Sequence, residues 1–150
     1  MEISNSEFIL LDKNIIPGET KIINLNIAKL HTMTELNVPI IVSRSIYEGP
    51  TVWLSAGLHG DELTGIEIVR QLIRQGINYP ACGTIICIPL INVFGFVNQD
   101  RDFPDGRDLN RVFPGSANGS LASRFAYSIM QDIIPQVDYV IDFHSGGRSR

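Results

Sequence analysis

The sequence predicts an α/β fold with a mixed, largely parallel sheet and flanking helices, preceded by antiparallel strands. Short apolar runs bounded by Gly and Pro are typical of buried strands. Two segments with helical periodicity lie between these runs, and the order strand, helix, strand favours a right-handed crossover between parallel strands. The apolar runs lie at residues 52–56, 83–91 and 139–143, and the helical segments at 61–75 and 120–134.

Residues 8–48 come first and predict β structure. Short or partly alternating apolar runs occupy 8–11, 22–27 and 39–42, with a Pro-Gly turn at 17–18. We expect antiparallel strands that lead into the main sheet. His31 lies among polar residues here, and a surface position is expected for it.

The run at 52–56 follows a Gly-Pro pair and predicts the first buried strand of the core. In the helical segment 61–75, apolar residues form one stripe and charged residues collect opposite it. Asp61 is predicted as the N-cap, and Gly76 as the stop signal. The apolar stripe consists of Ile66, Val69 and Ile73.

Glu62 lies in line with that apolar stripe, so its carboxylate is predicted to point toward the sheet. A buried carboxylate needs a compensating charge. Because Cβ atoms lean toward a helix N-terminus, Glu62 points back at the loop that carries His59, as two ligands of one ion would. The alternative is a Glu62 that favours the helix dipole and a solvated His59. His-x-x-Glu recurs by chance, and alone it favours this alternative.

In the second half of the chain, a histidine again follows a predicted buried strand. A polar segment at 92–119 lacks periodicity but contains aromatic anchors, and a helix over 120–134 is ended by Pro135. His144 directly follows the strand at 139–143 and precedes a Ser-Gly-Gly sequence.

Both histidines thus follow the carboxyl ends of buried strands, where α/β folds place their sites. His59, Glu62 and His144 would form a three-ligand set with an open fourth position, as in catalytic zinc sites. The alternative for His144 is a lone loop histidine beside a flexible Gly-Gly pair.

Composition favours one soluble domain of 150 residues. No apolar run is long enough to span a bilayer, and the acidic amino terminus shows no signal sequence, so a cytoplasmic location without membrane partners is expected. The net charge of −4 disfavours a nucleic-acid partner. Cys82 and Cys87 are expected to be free thiols.

Three motifs carry a family resemblance. They are Ser-Ala-Gly-Leu-His-Gly-Asp-Glu at 55–62, Asp-Gly-Arg-Asp-Leu-Asn-Arg-Val-Phe-Pro-Gly at 105–115, and Asp-Phe-His-Ser-Gly-Gly at 142–147. Together they resemble the succinylglutamate desuccinylase and aspartoacylase family, which belongs to the wider group of zinc carboxypeptidases. The resemblance implies a zinc carboxypeptidase-like fold, with residues 1–48 as leading strands and 49–150 as the hydrolase core of one domain.

The resemblance also implies a role for particular residues around one zinc ion. His59, Glu62 and His144 would bind the zinc, and Asp108 would orient His59 from outside. A ligating imidazole needs such a partner for its other nitrogen. The metal would supply hydroxide at neutral pH by lowering the pKa of a bound water to roughly 7.

The small-molecule substrate implied by the family is an N-acyl amino acid. Asn110 and Arg111 resemble the pair that grips its carboxylate, a task that suits a planar guanidinium. Arg101 is the candidate for polarising the scissile carbonyl, although the Asp102 that follows it departs from the family pattern, and Arg107 competes for the role.

The general base of the relatives is a glutamate well after the third ligand, and no residue here matches it; neither Asp61 nor Asp142 is expected to replace it. We therefore expect the amino-terminal portion of a longer hydrolase, without the carboxy-terminal part of the family fold. Such a fragment would bind zinc, hydrolyse poorly and associate with itself through exposed strand edges, giving a homo-oligomer.

Two other functions remain open. A metallocarboxypeptidase would cleave peptides rather than acylated amino acids. A non-catalytic metal-binding or interaction domain would keep the ligands without the base.

Overall fold

A computed structural model describes residues 2–29, 32–33 and 35–147. The expectation for His31 therefore lies outside the described residues. The strands are β1 (Ile9–Leu10), β2 (Lys13–Asn14), β3 (Thr20–Lys29), β4 (Glu35–Arg44), β5 (Thr51–Ala56), β6 (Thr84–Ile88) and β7 (Tyr139–Phe143). The α-helices are α1 (Leu63–Arg74), α2 (Val93–Asn98) and α3 (Leu121–Ser128). A 3₁₀ turn covers Leu109–Arg111, and α3 continues through a π-helical turn, Ile129–Ile133, into a 3₁₀ turn, Ile134–Gln136.

The main sheet has the order β3-β4-β6-β5-β7. β5 pairs in parallel with both β6 and β7, whereas β3 with β4 and β4 with β6 are antiparallel. The predicted fold class is confirmed as a mixed α/β sheet. The leading strands β3 and β4 join this same sheet through β6, so its parallel pairs are confined to β6, β5 and β7.

The two faces of the sheet bury different cores. Trp53 and Ile86 face α3 and its Phe125 in the larger core. On the other face, Ala56 and Cys87 pack against Val69 of α1 in a smaller core. Helices thus cover both faces, and the parallel strands end at one common edge between them.

Two local predictions differ from the structure. The predicted N-cap at Asp61 is wrong, because α1 begins at Leu63 and Glu62 occupies the cap position without a side-chain cap bond. The Glu62 carboxylate is instead held by two histidines, as described below. Helix α2 lies in the segment 92–119, for which the sequence predicts no helix. It has six residues, too few for a periodic pattern, and Asn92 caps it by accepting a hydrogen bond from the Gly95 N–H.

The predicted end of α1 is confirmed. Gly76 has a φ of +71°, and its N–H donates to the Ile73 carbonyl while the N–H of Ile77 donates to Leu72. This is the glycine-ended helix that the sequence predicts. Across the part of the chain that the structure describes, no helix has the combination of length and apolar character that crossing a bilayer requires.

Candidate metal centre

The two histidines meet at the carboxyl edge of the parallel strands. Ala56 and Phe143 are register partners at the ends of β5 and β7. His144 follows β7 directly, and His59 follows β5 after a short loop. Their ring centroids are 5.2 Å apart, with the planes tilted by 59°.

Glu62 lies between the histidines. Its Oε1 is 2.8 Å from Nδ1 of His59, and its Oε2 is 2.9 Å from Nδ1 of His144. The Ser145 N–H also donates to Oε2, over 3.2 Å. Each of the three side chains offers a ligand atom, and these atoms lie within 4.8 Å of one another. The structure thus brings together the three residues that the sequence named, and their role as ligands stays a prediction.

The loop that carries His59 is packed tightly against α2. The Gly60 N–H donates to the Asp100 carbonyl over 3.1 Å. A Cβ atom at Gly60 would lie 1.8 Å from the carbonyl carbon of Gly95, so only glycine fits here without moving backbone. His59 is consequently only 2% exposed.

The outer nitrogen of His59 contacts a carboxylate. Nε2 lies 3.1 Å from Oδ1 of Asp108, the residue that the family resemblance names for this position. Arg101 donates from Nε and Nη2 to Oδ2 of Asp108, over 3.1 and 2.9 Å. Burial acts to raise the pKa of Asp108, but the hydrogen bonds from Arg101 and His59 outweigh it and lower the pKa to about 2. Asp108 is therefore a carboxylate at neutral pH.

The outer nitrogen of His144 also contacts a carboxylate, and sequence reasoning missed this partner. Nε2 lies 2.5 Å from Oδ2 of Asp142, and the Ser55 hydroxyl donates to Oδ1 of Asp142 over 2.6 Å. The available signal was spacing, since side chains two positions apart on an extended chain point the same way.

The three candidate arginines lie at different distances from the centre. Nη1 of Arg101 is 3.6 Å from Oε1 of Glu62, so this cation borders the centre directly. Arg111 is 79% exposed and approaches Asp108, with its Nε 3.4 Å from Oδ2. Arg107 pairs instead with Asp105, over 3.7 Å, and has no described contact with the three central residues.

Asn110 connects the centre with a neighbouring cavity. Its backbone N–H donates to Oδ1 of Asp108 over 3.0 Å. Its side chain helps to line an apolar cavity of about 230 Å³, together with Trp53 of β5 and Asp142. The pair Asn110 and Arg111 thus lies beside the histidine cluster, and its role in binding substrate stays a prediction.

The chemistry of the donor set fits zinc. Two imidazole nitrogens and one carboxylate are ligands that Zn²⁺ prefers, and three protein ligands leave a fourth position open. Both imidazoles turn Nδ1 toward Glu62 while Nε2 contacts an aspartate, and metal-ligating histidines commonly have such outer partners. The free thiols Cys82 and Cys87 are outside this cluster.

Comparison with known proteins identifies similar chains. A family model described as the succinylglutamate desuccinylase/aspartoacylase catalytic domain matches residues 48–150. The N-alpha-acetyl-L-2,4-diaminobutyric acid deacetylase of Halomonas elongata is 38% identical over 103 residues, which cover 68% of this chain and 30% of that relative.

Solved structures extend the similarity over most of the fold. An aspartoacylase family protein from Mesorhizobium loti is 34% identical with a TM-score of 0.77, covering 94% of this chain and 44% of its own. A succinylglutamate desuccinylase/aspartoacylase from Rhodobacter sphaeroides is 28% identical with a TM-score of 0.80, covering 93% of this chain and 44% of its own. This chain therefore spans less than half the length of these relatives.

Proposed function

Because this chain belongs to the succinylglutamate desuccinylase/aspartoacylase family, we propose that it carries the zinc site of a hydrolase that cleaves the amide bond of N-acyl amino acids. The observation that supports this most is the convergence of His59, Glu62 and His144 at one sheet edge. The name of the Halomonas elongata relative, a deacetylase of an acetylated amino acid, points to the same substrate class.

The groups that would hold zinc are the Nδ1 atoms of His59 and His144 and the carboxylate of Glu62. Zinc bound there would supply Lewis-acid chemistry, polarising a carbonyl and lowering the pKa of a water to roughly 7. Glu62 and His59 are almost fully buried, while the His144 side chain is 36% exposed. Access to the centre is therefore from the side of His144.

The arginines would position the substrate and stabilise charge. Arg101 borders Glu62 and is held by Asp108, so its guanidinium is fixed where a developing oxyanion would need a donor. Arg111 and Asn110 would bind the free carboxylate of the amino acid, since a guanidinium can donate two parallel hydrogen bonds to it. The exposed Arg111 is accessible for that purpose.

The carboxylates around the centre are occupied in other ways. Asp108 and Asp142 each hold a histidine, and Glu62 lies between the two rings. Each of these three carboxylates is thus already engaged by at least one histidine, and we propose that none of them is the general base. We therefore expect the 150-residue chain by itself to bind substrate but to hydrolyse it poorly.

Calorimetry on the zinc-loaded chain tests the substrate class. N-acetyl amino acids with a free carboxylate should bind, whereas the same compounds with an amidated carboxylate should not. Arg111→Ala should weaken binding by about 10-fold or more, because a charged hydrogen bond contributes roughly 1.5–3 kcal/mol. Arg70→Ala is the matched control, because Arg70 is an exposed arginine that pairs with Glu67 on α1, and it should bind as the wild type does.

Three outcomes would contradict the proposal. Equal binding of the amidated compounds would refute recognition of the carboxylate. Binding of dipeptides in preference to acetylated amino acids would favour a metallocarboxypeptidase. Zinc-dependent turnover by the isolated chain, comparable to that of a complete hydrolase, would refute the expectation of poor hydrolysis.

A further inference from the structure

The second histidine of the centre has its own orienting pair, formed by residues from two neighbouring strands. We propose that Asp142 is the positioning residue for His144 and that Ser55 holds Asp142 in place. This inference rests on the proposed zinc binding and assigns a role that the family resemblance does not name for this chain.

The sheet register builds this arrangement. Ser55 of β5 and Asp142 of β7 are direct partners in the parallel pair, so their side chains lie beside each other on one face. Ser55 is 1% exposed, and its hydroxyl donates to Oδ1 of Asp142 over 2.6 Å. With Oδ1 engaged, Oδ2 is aimed at Nε2 of His144, 2.5 Å away.

This contact determines which nitrogen His144 presents to a metal. A carboxylate only accepts hydrogen bonds when ionised, so its contact with Nε2 favours the tautomer that carries its proton there. Nδ1 faces Glu62, 2.9 Å from Oε2, and is then the nitrogen that would bind a metal ion. The His59 ring has the same arrangement, with Asp108 at Nε2 and Glu62 at Nδ1.

The two pairs differ in what holds the aspartate. Asp108 accepts from the guanidinium of Arg101, which offsets its charge. For Asp142, the described contacts are with the neutral Ser55 hydroxyl and with His144. Among its described contacts, Asp142 therefore has the imidazole of His144 as its charge-bearing partner, and it can hold the orientation of that ring.

Metal titration of variants of this chain tests the proposal. Asp142→Asn should weaken Zn²⁺ binding by about 10–100-fold, the usual loss when an outer partner of a metal ligand is removed. The absorption spectrum of the Co²⁺-loaded variant should change, because the His144 ring is no longer held in one orientation. Ser55→Ala keeps the carboxylate and should give a smaller loss, and the double variant should match Asp142→Asn alone.

Asp138→Asn is the matched control. Asp138 immediately precedes β7 and accepts a hydrogen bond from the Thr51 N–H of β5 over 2.8 Å, at the opposite end of the strand from His144. This variant should keep wild-type Zn²⁺ affinity and the wild-type Co²⁺ spectrum.

Each outcome bears on the proposal. Wild-type affinity and spectrum in Asp142→Asn would overturn it while leaving the proposed function intact. An equal loss in Asp138→Asn would show that weakened strand pairing, rather than positioning, is responsible. Absence of zinc binding by the wild-type chain would overturn the proposed function and this inference together. If Asp142→Asn does not fold, an unchanged Ser55→Ala spectrum and affinity would overturn the role of the pair.

Discussion

The two halves of the candidate metal centre have the same contacts but very different surroundings. In each half, a histidine turns Nδ1 toward Glu62 and Nε2 toward an aspartate. His59 follows β5, which is paired on both sides, and it is 2% exposed. His144 follows β7, which among the described strands pairs only with β5, and its side chain is 36% exposed.

This difference separates the tasks of the two halves. The His59 half is part of the packed interior, so changes there are expected to reduce folding stability as well as metal binding. The His144 half lies at the edge of the sheet, where substitutions usually cost less. Its residues should therefore affect binding with little effect on stability.

The largest effect is expected from Gly60→Ala, in the loop of the buried half. The added Cβ would lie 1.8 Å from the carbonyl carbon of Gly95 and 2.1 Å from the Phe96 nitrogen, so backbone must move. We expect a loss of about 3 kcal/mol in the free energy of unfolding, measured by denaturant titration.

Gly76→Ala is the control for this substitution. Gly76 has a φ of +71°, and no atom lies within 4 Å of the place that the added methyl group would take, so only backbone strain opposes alanine. The expected loss is about 1 kcal/mol. A loss at Gly60 no larger than the loss at Gly76 would contradict the tight packing of the His59 loop.

An intermediate effect should distinguish the two histidines in the metal-free protein. His59→Ala leaves a buried cavity and removes a partner of both Glu62 and Asp108, at a cost of about 2 kcal/mol. His144→Ala should cost less than about 1 kcal/mol, because that side chain is partly solvated. Thermal or denaturant unfolding without metal measures both, and equal losses would contradict the proposed division.

Sequence reasoning predicted the buried half better than the exposed half. The apolar run before His59 and the stripe that includes Glu62 are strong patterns, because burial requires apolar neighbours. The family assignment made from the three motifs is confirmed. The sequence analysis treats Asp142 only as a possible base and does not predict its contact with His144, two positions away.

Two other differences have local physical causes. The Asp61 cap prediction was wrong because the neighbouring Glu62 carboxylate is held by the histidines, and helix α1 begins only after it. Helix α2 is stabilised by the Asn92 cap and by contacts with the Gly60 loop, which a search for periodicity cannot detect.

The smallest effect on folding is expected at the open edge of β7. Tyr139, Val140 and Ile141 are 63%, 55% and 47% exposed there. We expect the chain to associate through this edge, and Val140→Lys should reduce association in light scattering while changing the unfolding free energy by about 0.5 kcal/mol or less. A wild-type chain that stays monomeric at high concentration would refute this prediction.

Zinc titration of the wild-type chain beside His59→Ala and His144→Ala tests the central claim most directly. The wild type should bind one zinc ion per chain, and each variant should lose more than about 100-fold in affinity, beyond the usual loss for an outer partner. Zinc affinity should therefore depend equally on both histidines, although their substitutions differ in their effect on folding stability. Retention of wild-type affinity by His144→Ala would contradict a centre shared between the two strand ends.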